Sequence, residues 1–267
     1  MGIAQGHALR DRIREAVVRG GLPTRRSRWP SLRPVVSGRL RGGGTGRELC
    51  RHFAHQAERL EGLAQAANLP LDSLLELQLQ LGAGRVGPGG MGKAIWIVRE
   101  SRPVVGFRSL ELTLPWLVSA VAGVNEAGLA VIGQLPGASP GSSARTAERR
   151  AGDAPSLLLV QDCLARFEHL AGALDWCRKR PVEGDEILLL GDASGARATV
   201  EIRGRERTIA TGAGGFASDA TRAGETGVVR IDPTARLLRL EGFGENYPGD
   251  AREYGFAPLP PSAAQTE

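Results

Sequence analysis

Apolar residues recur at helical spacing through residues 5–19, where Leu9, Ile13, Ala16 and Val17 share one face and arginines take the other. An amphipathic helix is expected there. Residues 20–46, rich in Gly, Pro and Arg, read as loop. A second helix is expected after Thr45, carrying Leu49, Phe53, Leu60 and Leu63 and ending at Asn68-Leu-Pro70. Asp72 or Ser73 then caps a third, with Leu74, Leu75, Leu77 and Leu81 on its buried side. The stretch Gly82–Gly92 holds six glycines and one proline and reads as a connector.

Beyond it the period changes. Ala94–Val98 is a short apolar run of the buried-strand kind, turned back at Ser101-Arg-Pro103 into a return strand over Val104–Phe107. Ala120–Val124 and Leu129–Ile132 flank Asn125-Glu-Ala-Gly128, a turn whose Asn and Gly tolerate positive φ. Ser156–Arg180 repeats Leu158, Leu159, Cys163, Phe167, Leu170, Leu174 and Cys177 at helical spacing, as two helices broken near Gly172. Glu186–Leu190 and Ala198–Ile202 flank a second hairpin turn, Asp192-Ala-Ser-Gly195. Thr208–Thr211 and the pair Val228–Ile231 and Leu237–Leu240 complete the strands. Helices, then hairpins, then a helical block, then hairpins again imply an α+β fold with sheets covered by helices. The expected organisation is one domain over residues 1–254: a helical N-terminal region over residues 1–81, the connector 82–92, and a region of sheet and helix over residues 93–254. Residues 255–267, rich in proline, are expected to be a disordered tail.

Composition changes little in this picture. Of 34 basic residues only Lys93 and Lys179 are lysine, and the net charge of +5 is spread as scattered arginine. Aromatics make up 4%, too few for stacking platforms, so an arginine-mediated nucleic-acid binder is the weakest of three functional readings. No apolar run is long enough to span a bilayer, and the N-terminus lacks the apolar core of a secretory signal. Three cysteines, Cys50, Cys163 and Cys177, suggest reduced thiols in a cytoplasmic protein. Cys50, His52 and His55 invite a metal reading, but on a helix Cys50 points away from the two histidines, and no metal is expected. The glycine-rich segments 42–46 and 87–92 lack the Gly-Lys-Ser/Thr ending of a phosphate loop, and no cofactor is expected.

The hairpin Gly123-Val-Asn-Glu-Ala-Gly-Leu-Ala130 resembles the Gly-x-Asn-Glu-x-Gly-Leu hairpin of the acyl-coenzyme A:6-aminopenicillanic acid acyltransferase-like (peptidase C45-like) family, relatives of the choloylglycine hydrolases. Ala4-Gln-Gly6 resembles the family's opening Gln/His-Gly element, and Ser156–Trp176 its helix pair. Leu189–Gly195 through Val200-Glu201 is similar to its second hairpin. The resemblance covers residues 2 to 216. It implies a four-layer αββα fold of the N-terminal-nucleophile type, acting on linear amides or transferring acyl groups. The bound partner would be a small acyl-amide or peptide-like molecule. In that chemistry a peptide bond is cut before a cysteine, whose α-amino group, with a pKa of about 8, accepts the thiol proton. An Arg-Asn-x-Asp element holds amine and thiol, and amide donors stabilise the oxyanion.

Departures from the pattern decide the reading. The nucleophile would stand near Gly92 or Lys93, yet no Cys, Ser or Thr occurs from Gly82 to Glu100. In Phe107-Arg-Ser-Leu-Glu111 the resemblance places Arg108 and Glu111 in the Arg-Asn-x-Asp element, with Ser109 for Asn. Gln134 falls where a choloylglycine hydrolase has its oxyanion-hole asparagine, and Thr211-Gly212 where the family has Thr-Asn. The expectation is a degenerate relative keeping Arg108, Glu111 and Gln134 but no nucleophile. Its rival is an active amide hydrolase or acyltransferase with an unusual nucleophile, such as Lys93, or an activated water. For the nucleic-acid reading the outcome is simple: at low salt, DNA and RNA fluorescence titrations are expected to show no binding. An affinity that falls steeply with added salt would instead revive it.

Overall fold

The computed structural model describes residues 2–25, 45–82, 96–134, 154–212, 217–218, 221–222, 225–226, 228–242 and 251–258. Five helices come first: α1 (Gly2–Ala8), α2 (Arg10–Arg19), α3 (Thr45–His52), α4 (Ala54–Ala67) and α5 (Leu71–Gly82). The expected first helix thus begins earlier and divides at Leu9. Close approach of α1 and α4 explains the glycines of α1. A Cβ on Gly2 would collide with the Arg59 carbonyl oxygen, and one on Gly6 would lie 2.6 Å from Ala66 Cβ. Asn68 ends α4 in the left-handed conformation. Arg10 Nη2 and Nε donate to the Ala66 carbonyl at 2.8 and 3.0 Å, placing a cation on the negative end of that helix. Ser73 does not cap α5; the helix starts at Leu71, and the Ser73 hydroxyl donates to the Pro23 carbonyl at 2.8 Å.

The larger sheet contains β1 (Ile97–Ser101), β2 (Ser109–Thr113), β3 (Ala122–Asn125), β4 (Ala130–Gln134), β5 (Ala154–Pro155), β6 (Val182–Gly191), β7 (Arg197–Gly204) and β8 (Glu206–Gly212). Its order is β1-β2-β3-β4-β6-β7-β8, all antiparallel, with β5 parallel to β6. Helices α6 (Leu158–Arg166) and α7 (Leu170–Lys179) sit between β5 and β6 in sequence. Short strands β9 (Ala217–Ser218), β10 (Thr221–Arg222) and β11 (Glu225–Thr226) precede β12 (Val228–Asp232), β13 (Leu237–Glu241) and β14 (Arg252–Tyr254). The smaller sheet runs β14-β13-β12-β9. The fold is therefore α+β with antiparallel sheets.

Three expected features shift, each for a local reason. The first strand begins at Ile97 among the described residues; Ala94 and Ile95 lie outside them. Val104–Phe107 is not a strand. Val104 and Val105 stand in solvent, Gly106 takes φ +107°, and Phe107 N–H bonds the Ala165 carbonyl of α6, so pairing resumes only at Ser109. The helical break falls at Phe167–His169 and not at Gly172. Asn125 Nδ2 donates to the carbonyls of Leu164 and Phe167, and Asp192 Oδ2 accepts from Leu170 N–H, so both sides of the break are held by the hairpins. Gly172 instead makes room for the Phe167 ring. Within the first turn, Gly128 alone takes positive φ, while the Asn125 side chain accepts from the amides of Ala127 and Leu129.

Opposite residues of an antiparallel pair point to the same side of a sheet. Arg99, Glu111, Gly123, Val131, Leu190 and Ala198 are linked in that way across six strands. A Cβ at Gly123 would lie 2.8 Å from the Leu164 side chain, so this face looks toward α6. The other face of β3 meets β12 and β13, which bury Val229, Ile231, Leu238 and Leu240. Helices, larger sheet and smaller sheet are thus stacked in that order. Among the described residues no helix is long and apolar enough to cross a membrane. Gly6→Val is expected to lower stability by about 2 kcal/mol through forced separation of α1 and α4. Val18→Ala, at a position 60% exposed, should stay within about 0.5 kcal/mol in the same urea titrations.

Candidate functional site

Glu111 is fully buried on the helix-facing side of β2. Arg99, directly across on β1, places both Nε and Nη2 at 2.6 Å from its Oε2. Ser109 Oγ donates to Oε1 at 2.5 Å. Arg59 of α4 brings Nη1 to 3.7 Å from Oε2 and donates to Ser101 Oγ, Gln161 Oε1 and the Val118 carbonyl. The remaining Arg99 donors reach Gln5 Oε1, Gln161 Oε1 and the carbonyls of Leu117, Val118 and Ser119. Among the described residues, two guanidinium groups, one carboxylate and a ring of neutral acceptors form a buried cluster.

The titration behaviour follows from this arrangement. Burial alone would raise the Glu111 carboxyl, but the charges of Arg99 and Arg59 and the Ser109 and Ser101 hydroxyls outweigh it and hold it below its ordinary value. Burial, reinforced by the like charge of Arg99, pulls Arg59 down to about 10 despite Glu111.

Arg108 belongs elsewhere. It lies one residue before Ser109 and so faces the side opposite Glu111. Its Nη2 donates to Glu100 Oε1 at 2.7 Å and to the Ala257 carbonyl at 2.8 Å, and its guanidinium stacks 5.3 Å from the Phe256 ring. Ala257 N–H donates back to Glu100 Oε2. Hydrogen bonds from Arg102, opposed by burial and aided by Arg108 and the Ala257 amide, hold Glu100 at about 2. Residues 255–258 therefore fold back onto β1.

Gln134 closes β4 opposite Ile187, half-buried, on the same side as Arg108. By register it lies level with Ala120, whereas Arg108 lies level with Glu126. Six residues of strand rise separate the two, about 20 Å. Arg108, Glu111 and Gln134 are not brought together. Thr211, near the end of edge strand β8, is exposed. Gly92 and Lys93, where a nucleophile would emerge, lie outside the described residues. Cys50 is exposed, His52 Nε2 lies 3.0 Å from Glu48 with Nδ1 toward Arg180, and His55 Nε2 lies 3.4 Å from Asp162, so the three diverge.

Of the groups that surround Glu111, the motif resemblance includes Gln5, Ser109 and, within its helix pair, Gln161, whereas Arg59, Arg99 and Ser101 belong to none of its motifs. Arg99 carries an available signal: it directly follows the apolar run Ala94–Val98, and a charge that continues a buried strand has to find a partner.

Replacing Glu111 with Gln strands two buried cations, and stability is expected to fall by about 3–5 kcal/mol. The wild-type stabilisation from Glu111 is complete above its unfolded value of 4.5 and is lost as pH falls through the lower folded value, because the unfolded chain binds the extra proton. Urea titrations across acid pH should therefore show a shallower acid loss in Glu111→Gln than in wild type, with Glu100 and Asp192, both also held below their ordinary values, contributing to the slope that remains. An unchanged acid slope would contradict this account.

No protein-family model matches the chain, and no curated protein matches it. Matching solved structures include penicillin V acylase from Agrobacterium tumefaciens, 24% identical over 45% of this chain and 39% of that chain, with a TM-score of 0.32. The match spans well under two thirds of the acylase chain, and so distant a likeness fixes neither a shared architecture nor an activity.

Proposed function

We propose that this chain is a non-processing relative of the N-terminal-nucleophile amide hydrolases and acyltransferases, one that has given up covalent catalysis. The reading starts from the ordered motif resemblance. The helix, sheet and sheet stacking described above is compatible with three of the layers of an αββα sandwich. The observation that carries the loss of chemistry is the state of the Arg108–Glu111 element.

Covalent acyl transfer needs a nucleophile, a base and a carboxylate that can hold the base. Glu111 is enclosed, with Arg99 on one oxygen and Ser109 on the other, leaving no exposed oxygen to receive an α-amino group. Arg108 is occupied by Glu100 and Ala257. The sequence offers no thiol or hydroxyl from Gly82 to Glu100. An element that serves catalysis in the family thus serves as internal bracing in this chain. A binding role toward an acyl-amide or peptide-like molecule is the function left to such a scaffold.

Intact-mass measurement of the purified protein is expected to give one uncut 28.2 kDa chain. A panel of N-acyl amino compounds should give no turnover and no covalent adduct. Two fragments divided between Gly82 and Ala94, or an acylated chain, would overturn the reading.

A further inference from the structure

Cys163 on α6 and Cys177 on α7 are both fully buried, and their sulfur atoms lie 3.8 Å apart. The two helices are joined by only Phe167-Glu168-His169, and that link is held on both sides. Asn125 binds the carbonyls at the end of α6, and Asp192 binds the first amide of α7. Contact between the thiols is therefore imposed by two hairpins outside the helix pair. A disulfide needs the sulfurs about 2.05 Å apart, an approach of less than about 2 Å from direct contact.

We propose that Cys163 and Cys177 form a latent disulfide, closed by a peroxide as oxidant. One thiol, as thiolate, attacks a peroxide oxygen, giving a sulfenic acid and releasing water or an alcohol. The second sulfur displaces the hydroxyl from the first as a second water, and the S–S bond forms. The two thiols together give up two electrons and two protons, and the O–O bond takes them up.

Closure is slow. The contact with Cys177, reinforced by burial, raises the Cys163 thiol, so little thiolate is present at neutral pH, and peroxide reaches it only when α6 and α7 part. Once made, the bond is shielded from reductants by the same packing. Its effect would be felt at Trp176, next to Cys177 in sequence. The Trp176 indole N–H donates to Asp162, the neighbour of Cys163, and Arg180 stacks on its ring at 3.4 Å. A disulfide beside an indole quenches its fluorescence.

The test uses full-length protein carrying Cys50→Ser, which removes the exposed thiol. The protein is incubated with hydrogen peroxide, then denatured and alkylated. The expected product is a monomer lighter by two hydrogens with neither remaining cysteine alkylated, and the oxidised protein read before denaturation shows dimmer Trp emission and a raised Tm. Dithiothreitol added under denaturing conditions, where packing no longer shields the bond, should return the two hydrogens and make both cysteines alkylatable. The same variant with Cys177→Ala should show none of these changes. The proposal fails if both thiols are still alkylated after peroxide, if peptide mass mapping places added oxygen on Cys163 or Cys177, or if the disulfide links two chains.

Discussion

The buried pairing of Glu111 with Arg99 and Arg59 is the constraint on which the rest of this structure depends. A charge taken from water is tolerated only with a counter-charge and a full set of hydrogen bonds. Meeting that demand draws in Gln5 from α1, Arg59 from α4, Gln161 from α6 and the carbonyls of residues 117–119. Separate elements converge because the guanidinium donors need acceptors that none of them supplies alone. The pair also fixes register. Sliding β1 by one residue against β2 would turn Arg99 to the opposite face and leave Glu111 stranded among helices.

Strand geometry then explains why a motif that looks like one site is two. Arg108 and Glu111 are three residues apart. That spacing makes neighbours on a helix, but on a strand with its period of two it sends side chains to opposite faces. Glu111 turns to the helices and joins the interior. Arg108 turns the other way, finds Glu100, and holds the returning segment at Ala257. Chemical likeness of residue types carries over from one sequence to another more readily than their placement does.

Much of the architecture was legible because its signals are local. Asn125 to Gly128 and Asp192 to Gly195 announce their turns in four residues, and the apolar spacing of Leu158 to Cys177 announces helix. What escaped detection depends on partners distant in sequence. The helical break sits at Phe167 because Asn125, 42 positions earlier, binds its carbonyl. Val104 and Val105 read as strand by β-branching alone, and nothing local reveals that α6 draws Phe107 away. Arg59 and Glu111 lie far apart along the chain, and no short window contains both.

The attachment of the segment around Ala257 has a consequence for how this protein can vary over evolutionary time. Ala257 contributes its backbone N–H and C=O, not its methyl group, to Glu100 and Arg108. Many side chains could stand at 257 without disturbing that clasp. A deletion between Tyr254 and Ala257 would shift the backbone out of reach whatever residue replaced it. Selection on this junction therefore acts on the number of residues more than on their identity, a requirement that position-by-position comparison of related sequences would pass over.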